Sequence, residues 1–479
     1  MSTIEELAVT AEEPRFLTAS YRDRSGRIIE WDNRVFRSLS PDALSHVQRM
    51  EAAGDLRYLE QHHGLWPATL LDPADVPAEL AAISPSGRLL EHPKLDFVSY
   101  PYEWPFSLLK RAALYHLDVH LAALERNLTL IDGSAYNVQF VGAHPVFIDT
   151  LSLVPYVDGS PWLGYRQFCE QFLNPLVLSA RLGVGFNGWY RGELNGIPLP
   201  DLARLLSWRD KLSPGVLFHI TLHARLQEKL QQSDNSQGDA KREIPKTRLE
   251  AFLKSLRSFV AKLKPHRASD TFWRDYELDN SYAEAEARDK LTFVGDFVRR
   301  RPDSVVWDLG CNSGAFSEAA LENGAARVLG LDADVGALEA AVTRADAKQL
   351  AFLPLYADFS KPSPNQGWYQ SERPGLLARR EADVVLALAL IHHMVIGNNI
   401  PLGDALDWLL SLAPAGVIEF VPKTDLMIQQ MLATREDIFV DYTYDDFVAL
   451  LQDRVEITDR KVVSESGREL FGYERATAS

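Results

Sequence analysis

Acidic residues and glycines stand at the ends of two consecutive strands predicted in the second half of the chain. In "VVWDLGCNSGAFSEAAL" a buried strand runs into Asp308, Gly310 and Gly314 and then into a helix, and Asp332 ends the next strand. Glycines at such a point let the backbone approach a ligand closely and adopt turns that are closed to other residues. A carboxylate at the end of the second strand can accept both hydroxyls of a ribose. The spacing therefore predicts a ligand with a nucleoside part at this edge of the sheet.

The pattern differs from a dinucleotide fingerprint, which is G-x-G-x-x-G, because position 312 is Asn. It resembles the first motif of class I S-adenosylmethionine-dependent methyltransferases, whose ligand has no phosphate. By that resemblance the cofactor-binding residues are Asp308 and Gly310 at the methionine part, with Asn312 and Gly314 in the same turn, Asp332 at the ribose and Asp358 at the adenine amino group. Tyr282, in a helix ahead of the first strand, is a candidate to cover the cofactor, with core packing as the equal alternative. The opposing interpretation is another doubly wound protein in which Asp308 and Asp332 only cap helices.

The resemblance extends beyond this motif. The segments "DLGCNSGAFS", "ADVVLALALIHHMVIGNNIPL", "IEFVPKTD" and "REDIFVDYT" look like one bacterial methyltransferase family, some members of which are labelled nodulation proteins. The likeness covers most of the chain, including "SYPYEWPFSLLK", "PVFIDTLS" and "YRQFCEQFLNP" in the N-terminal half. It implies the reaction class but not the methyl acceptor.

The elements that must position these residues alternate between strand and helix from residue 304 onward. This alternation predicts an α/β domain, a Rossmann-like, mostly parallel seven-stranded sheet with helices on both faces. The last segments, "VEITDRKVV" and "RELFGYE" around "SESG", predict an antiparallel hairpin at one edge. The N-terminal half is expected to be an α+β domain.

The loops after the fourth and fifth strands are expected to border the transferred methyl group, since ligands lie over the carboxyl ends of parallel strands. They contain His392 and His393, the candidate catalytic residues, because an imidazole suits a hydroxyl or amine acceptor that must lose a proton. Packing or solvation of the two rings is the alternative. Lys423 is a candidate substrate contact, against a surface ion pair or turn. Glu419, inside the apolar run "GVIEFV", needs a partner if buried and is a candidate to bind substrate or organise the site; the alternative is that it faces solvent.

A long polar insertion, "FSKPSPNQGWYQSERPGLLARR", follows the third strand. Long ordered loops in compact domains are often lids or binding loops. Asn365, Trp368 and Tyr369 are therefore further candidates for contacts with the acceptor.

Asp132, Asn137 and Asp149 in "LIDGSAYNVQFVGAHPVFIDT" have a spacing that resembles a kinase catalytic loop followed by a hairpin around Gly142. However, no Lys precedes Lys94, and the glycines before position 100 are scattered, so the usual phosphate-binding parts are missing. We favour a degenerate kinase-like or unrelated accessory domain, with Arg in place of Lys left open. No metal site is predicted except a vestigial pair, Asn137 and Asp149, and turn and cap chemistry is the alternative.

Composition limits the partners and the location that the chain can be expected to have. The chain has 479 residues, 46% of them hydrophobic, and a formal net charge of −16, which disfavours nucleic acid as a partner. Two distant cysteines, an acidic N-terminal segment and no apolar run of membrane length predict a cytoplasmic protein without a membrane span.

The expected division is an accessory domain at 1–230, a linker at 231–246 and a methyltransferase domain at 247–479. The expected acceptor is a small molecule or carbohydrate, with a protein partner for the N-terminal domain also considered. The alternatives are a bifunctional methyltransferase and phosphotransferase using Asp132, Asn137 and Asp149, or a non-catalytic cofactor-binding module.

Overall fold

The architecture was analysed in a computed structural model, which describes residues 13–221, 244–266, 281–433 and 435–475, and of 281–284 the backbone only. The strands are β1 Arg15–Phe16, β2 Ile28–Trp31, β3 Arg34–Ser38, β4 Thr69–Leu70, β5 Leu89–His92, β6 Leu128–Leu130, β7 Val138–Val141, β8 His144–Phe147, β9 Leu153–Pro155, β10 Val305–Leu309, β11 Arg327–Asp332, β12 Phe352–Tyr356, β13 Val384–Ala387, β14 Ala415–Phe420, β15 Glu456–Val462 and β16 Glu469–Glu474.

The α-helices are α1 Pro41–Ala53, α2 Asp55–His63, α3 Ala78–Ala81, α4 Phe106–Glu125, α5 Tyr165–Phe168, α6 Asn174–Leu182, α7 Asn187–Gly192, α8 Leu199–Leu205, α9 Trp208–Lys211, α10 Pro214–Val216, α11 Lys246–Lys262, α12 Ser281–Arg299, α13 Ala315–Glu322, α14 Val335–Lys348, α15 Leu402–Leu412, α16 Leu426–Leu432 and α17 Tyr444–Gln452. Within the described ranges, no helix combines the length and the apolar character that crossing a membrane requires.

The C-terminal half is built on a seven-stranded sheet. Its strand order is β12-β11-β10-β13-β14-β16-β15, and the first five strands are parallel. β16 pairs antiparallel with β14 and with β15, which forms the predicted edge hairpin. The central strands are apolar on both faces, as expected for a parallel sheet covered by helices on both sides. The predicted fold class of this half is therefore confirmed.

The N-terminal half contains a five-stranded antiparallel sheet, β1-β2-β3-β5-β4, and two smaller hairpin-like pairs, β6 with β9 and β7 with β8. Gly142, at φ +56°, makes the turn between β7 and β8, as the sequence predicted. The long helix α4 lies under these pairs, and its apolar face, including Leu109, Ala113 and Leu117, is fully buried. This half is α+β, as expected.

The two halves share one continuous hydrophobic core. The helix α11 packs on α4, where Lys110 donates to the carbonyl of Leu263 at 2.8 Å and Arg257 pairs with Asp118 at 2.9 Å. Arg111 of α4 also forms an ion pair with Asp346 of the sheet-covering helix α14. Most of the predicted linker, 231–243, lies outside the described residues, so the three-part division of the chain stays a prediction.

Candidate functional site

Crossover direction places a crevice at the carboxyl ends of the central strands. β10 pairs with β11 on one side and with β13 on the other. The strands that follow β10 along the chain are therefore added first on one side of it and then on the other. Such a switch in strand order opens a crevice in which ligands of open α/β sheets bind. Asp308, Asp332, Asp358 and His392 all lie at or just beyond the carboxyl ends of strands that border it.

Asp308 is a buried carboxylate with 1% of its surface exposed. The Ser317 hydroxyl, one helical turn into α13, donates to it at 2.6 Å. Burial raises the pKa of Asp308 to about 7, and the charge of Asp332 adds to this, while the hydrogen bond from Ser317 opposes it. A buried carboxyl of this kind gains from a cationic partner, because an isolated charge is costly away from water.

The turn after β10 depends on residues in the left-handed region of backbone space. Gly310, Asn312 and Gly314 have φ of +77°, +48° and +82°. A Cβ on Gly314 would lie 2.5 Å from the Phe352 ring, so glycine is needed there for packing as well as conformation. At Gly310 the nearest atom to such a Cβ lies at 3.9 Å, which leaves the backbone open to close approach.

Asp332 holds the turn after β10 and can still accept further hydrogen bonds. Its two carboxylate oxygens accept the backbone N–H groups of Asn312 and Asp334, each at 2.8 Å. Burial raises the pKa of Asp332, although the backbone hydrogen bonds act in the opposite direction. Each carboxylate oxygen has a second lone pair, so the group still fits the two hydroxyls of a ribose.

Asp358 follows β12 at the same edge of the sheet. Burial raises the pKa of its carboxyl, but hydrogen bonds from Ser360 and the Lys361 ammonium outweigh this and lower it. An ionised carboxylate with spare lone pairs can accept a hydrogen bond from an exocyclic amino group. The three carboxylates, as hydrogen-bond acceptors, therefore fit the methionine, ribose and adenine parts that the sequence motif implied.

His392 and His393 lie together after β13, with their ring centroids 4.1 Å apart. Burial lowers the pKa of His392 well below its usual value, with the neighbouring ring and Arg468 adding to the effect. Burial and the Arg468 charge lower the pKa of His393 to about 4. Both imidazoles are therefore neutral at pH 7. Within the described residues, Nδ1 of His392 has no hydrogen-bond partner.

Glu419 faces the interior and has no exposed surface, so the alternative that it points to solvent is wrong. Its carboxylate pairs with the Lys290 ammonium at 2.9 Å and lies 3.6 Å from the Arg468 guanidinium. It also accepts the N–H of Ala389, a residue held at φ +48° just after β13. Glu419 thereby fixes the backbone that leads to the histidine pair. Its contact with substrate stays a prediction.

Lys423 donates to the Asp437 carboxylate at 2.8 Å and to the carbonyl of Phe439 at 2.6 Å. This is the surface ion pair that the sequence left open as the alternative to a substrate contact. Neighbouring Asp425 caps α16 and pairs with the buried Arg468 guanidinium at 2.8 Å. The substrate role of Lys423 remains a prediction.

The insertion after β12 extends from Asp358 to the N-terminal half. Asn365 accepts the N–H of Gly375 at 2.7 Å and thereby closes the loop. Trp368 stacks on Tyr21 of the N-terminal half with 6.5 Å between centroids, and the Tyr369 side chain is 88% exposed. The acceptor contacts predicted for these three residues are untested. Tyr282 lies in the first turn of α12, and its side chain is outside the described residues.

The N-terminal residues Asp132, Asn137 and Asp149 are brought together. The Asn137 amide nitrogen donates to Asp132 at 2.9 Å and to Asp149 at 3.3 Å. Arg37, from β3, donates to Asp149 at 2.6 Å and also pairs with Asp23. Burial and the charge of Asp149 raise the pKa of Asp132 to about 7. In the described part of the chain, no group of three or more His, Cys, Asp or Glu residues could hold a metal.

Several charged residues at these sites were missed from the sequence. Lys290, Arg468 and Arg37 stand in ordinary helical or strand patterns, and nothing in their spacing singles them out. The only available signal was indirect, because a carboxylate in the apolar run around Glu419 had to find a cation elsewhere.

The strand order, with an acidic and glycine-containing turn after the first strand and an acidic residue ending the second, defines a class I methyltransferase fold. No model of a protein family matches the sequence. The chain is 40% identical over 475 residues to nodulation protein NoeA of Rhizobium meliloti (strain 1021), with 98% of each chain covered. The chain therefore belongs to the NoeA family of nodulation proteins, as the sequence resemblance indicated.

Solved structures show more distant likeness. The N-methyltransferase NodS of Bradyrhizobium japonicum WM9 is 13% identical, with 44% of this chain and 94% of that chain covered and a TM-score of 0.31. The bifunctional kinase-methyltransferase WbdD is 18% identical, with 42% of each chain covered and a TM-score of 0.30. The PH0226 protein of Pyrococcus horikoshii OT3 is 14% identical, with 43% of this chain and 98% of that chain covered and a TM-score of 0.31.

Proposed function

We propose that the chain is a methyltransferase that uses S-adenosylmethionine. The observation that carries the proposal is the meeting of Asp308, the Gly310 turn and Asp332 in the crevice at the switch of strand order. Asp308 meets the cationic amino group, Asp332 accepts the ribose hydroxyls and Asp358 accepts the adenine amino group. Asn312 and Gly314 hold the turn, and Tyr282 lies in the helix that precedes this sheet.

S-adenosylmethionine, when bound, supplies an activated methyl group. The task of the chain is then to align the acceptor atom with that methyl group and to exclude water. His392 and His393 are the candidates to accept a proton from the acceptor, and their low pKa keeps them unprotonated at neutral pH. Glu419 acts indirectly, because it holds the backbone at Ala389, and Lys290 in turn pairs with Glu419.

The acceptor that we propose is a small molecule or carbohydrate in the cytoplasm. The net charge of −16 supports this, since a nucleic-acid acceptor calls for clustered cations. The insertion that carries Asn365, Trp368 and Tyr369 begins beside Asp358 and reaches the N-terminal half, so an acceptor entering there would meet these side chains first. In this scheme the N-terminal half, taken as 1–230, shapes access to the crevice.

Calorimetry tests the cofactor. We expect saturable binding of S-adenosylmethionine and S-adenosylhomocysteine, and a loss of at least about tenfold in Asp332→Asn, since a ribose contact of roughly 1.4 kcal/mol is removed. Asp445→Asn, an exposed change of the same kind on α17, should bind as the wild type does. Absence of binding in the wild type, or equal affinity in Asp332→Asn, would contradict the proposal.

Catalysis needs a separate test. Metabolites from cells with and without the gene can be compared for methylated products, and the acceptor so found used in an assay of His393→Gln. Turnover that disappears in this variant, while cofactor affinity is retained, would exclude a non-catalytic binding module. Cofactor binding without any methylated product would favour that alternative.

A further inference from the structure

A large cavity lies between the N-terminal half and the insertion after β12, and Asp308 and Asp332 of the methyltransferase crevice do not line it. Its volume is about 1320 Å³, which is ample for a ligand larger than most metabolites. The segment 15–25 between β1 and β2 lines one side, and the residues around the β7–β8 hairpin line another. The insertion after β12 contributes Gly367 and Trp368 to a third side. The cavity is thus lined by parts of the chain that are far apart in sequence.

Charged groups converge at one end of this cavity. The Arg37 guanidinium is 6% exposed and links Asp23, in the segment over the cavity, to Asp149 beneath it. Asp132 and Asn137 lie beside Asp149, and all five residues line the cavity. A cation and carboxylates held side by side in a cavity suit a ligand that carries both signs of charge, such as a metal ion bound to an anion.

Two buried polar atoms at this end have no hydrogen-bond partner among the described residues. They are Nε of Arg37 and Nε2 of His92, and both side chains are more than nine-tenths buried and line the cavity. His92 is anchored through Nδ1, which donates to the carbonyl of Pro67 at 2.9 Å, so its Nε2 carries a lone pair. Buried polar groups are normally satisfied, so two unpartnered atoms on residues of the cavity wall are a demand that a ligand could meet after a small shift of these side chains.

Asp149 and Asn137 provide as many protein ligands as a magnesium site needs when the bound ligand supplies phosphate oxygens. Mg²⁺ keeps several waters and binds through one or two carboxylates together with phosphate oxygens of a ligand, so a cage of three or more acidic side chains is not needed. The Asn137 nitrogen is engaged by Asp132 and Asp149, which leaves its amide oxygen as the atom to coordinate a cation. A cation on Asp149 would replace its contact with Arg37, whose freed N–H group could then donate to a phosphate.

Beyond this end the cavity wall is mixed, with a group of apolar side chains among further charged and polar ones. Ile28 and Val35, from the five-stranded sheet, face it from one side, and Ile148 and Leu151 face it from the hairpin side. Trp66 lines it as well, with its indole N–H donated to the carbonyl of Pro93. Apolar side chains beside a charged end suit a planar heteroaromatic ring joined to a polyanion.

We propose that this cavity binds a nucleoside triphosphate together with a divalent cation. Asp149 and Asn137 hold the cation, Arg37 binds the phosphates, and the apolar side chains pack against the base. The site is independent of the methyltransferase crevice, so it stands whether or not S-adenosylmethionine binds there. Because the insertion that lines this cavity begins beside Asp358, both sites border the same segment of chain.

The test uses the full chain and calorimetric titration with ATP, GTP, CTP and UTP, each with Mg²⁺. We expect at least one to bind saturably, and to bind at least tenfold more weakly in EDTA. Magnesium tripolyphosphate is the probe without a nucleoside and should bind at least tenfold more weakly than the best nucleotide. The proposal is overturned if none of the four nucleotides binds, if removal of Mg²⁺ has no effect, or if tripolyphosphate binds as tightly.

Variants locate the site. Asp149→Asn keeps the shape of the side chain and should lose at least tenfold in nucleotide affinity. Asp201→Asn, the same kind of change at a side chain on α8 that is 46% exposed, should lose nothing. The thermal midpoint of each variant, measured alongside, shows whether the fold is intact. Equal nucleotide affinity in Asp149→Asn and Asp201→Asn would overturn the assignment of the site.

A measurement on the wild type alone covers the case in which Asp149→Asn does not fold. Mn²⁺ binding is followed by electron paramagnetic resonance, with and without the best nucleotide. We expect each ligand to raise the protein's affinity for the other by the same factor, because coupling between bound ligands is reciprocal. Mn²⁺ affinity for the protein that does not change with nucleotide would refute a shared site.

Discussion

The buried carboxylate of Glu419 gives the sharpest prediction about the methyltransferase half. In Glu419→Gln the charge is lost, but an oxygen remains to accept the Ala389 N–H. Lys290 and Arg468 then stay buried with one cationic charge less compensated. Breaking a buried ion pair costs about 3–5 kcal/mol when one partner is removed.

The magnitude should fall at the lower end of that range. Each cation keeps a second carboxylate, since Glu286 lies 2.7 Å from Lys290 and Asp425 lies 2.8 Å from Arg468. We therefore expect Glu419→Gln to lower the free energy of unfolding by about 3 kcal/mol. Urea unfolding followed by tryptophan fluorescence measures this loss.

The control and a double variant separate the ion pair from a general effect of the substitution. Glu456→Gln, an exposed change on β15, should shift the free energy of unfolding by no more than about 0.5 kcal/mol. Glu419→Leu combined with Lys290→Met removes both charges. The double variant should lose at least about 1 kcal/mol less free energy of unfolding than Glu419→Leu and Lys290→Met made singly lose in sum. Strict additivity, or a loss in Glu419→Gln no larger than in Glu456→Gln, would refute the reasoning.

Three further changes test the fold and its charges. Gly314→Ala should lower the free energy of unfolding by about 2–4 kcal/mol, because it combines a positive φ with a Cβ 2.5 Å from an aromatic ring, whereas Gly188→Ala has free space and should be neutral or stabilising by up to about 1 kcal/mol in urea unfolding. Burial raises the pKa of Asp308 to about 7, so the folded state holds a proton that the unfolded state releases above about pH 4. The stability of the wild type should therefore fall between pH 5 and 7.5 by about 2–3 kcal/mol more than that of Asp308→Asn, and parallel pH profiles in urea would contradict this. Arg379→Ala removes the cation that pairs with the buried Glu103 carboxylate between the insertion and the N-terminal half, and it should lower the free energy of unfolding by about 3–5 kcal/mol. Arg380→Ala, at an exposed side chain, should lower it by at most about 0.5 kcal/mol. Equal urea midpoints for the two variants would disprove the contact.

Local sequence signals account for most of the fold of the C-terminal half. The strand that contains Asp308, the strand that ends in Asp332 and the helix over Leu402–Leu412 could be predicted, because periodicity and glycine placement act over a few residues. The same holds for the hairpin around Gly142 in the N-terminal half. The turn after β10 could be recognised because Gly310 and Gly314 stand at positive φ, and at Gly314 a Cβ would also meet the Phe352 ring.

The sequence by itself determined the class of fold, the cofactor motif and the spacing of Asp132, Asn137 and Asp149. Only the tertiary structure decided which charges compensate one another. Lys290 and Arg468 reach Glu419, and Arg37 reaches Asp149, from elements distant along the chain. Such pairs leave no periodic trace, because a charge looks the same in the sequence whether it faces water or a buried partner.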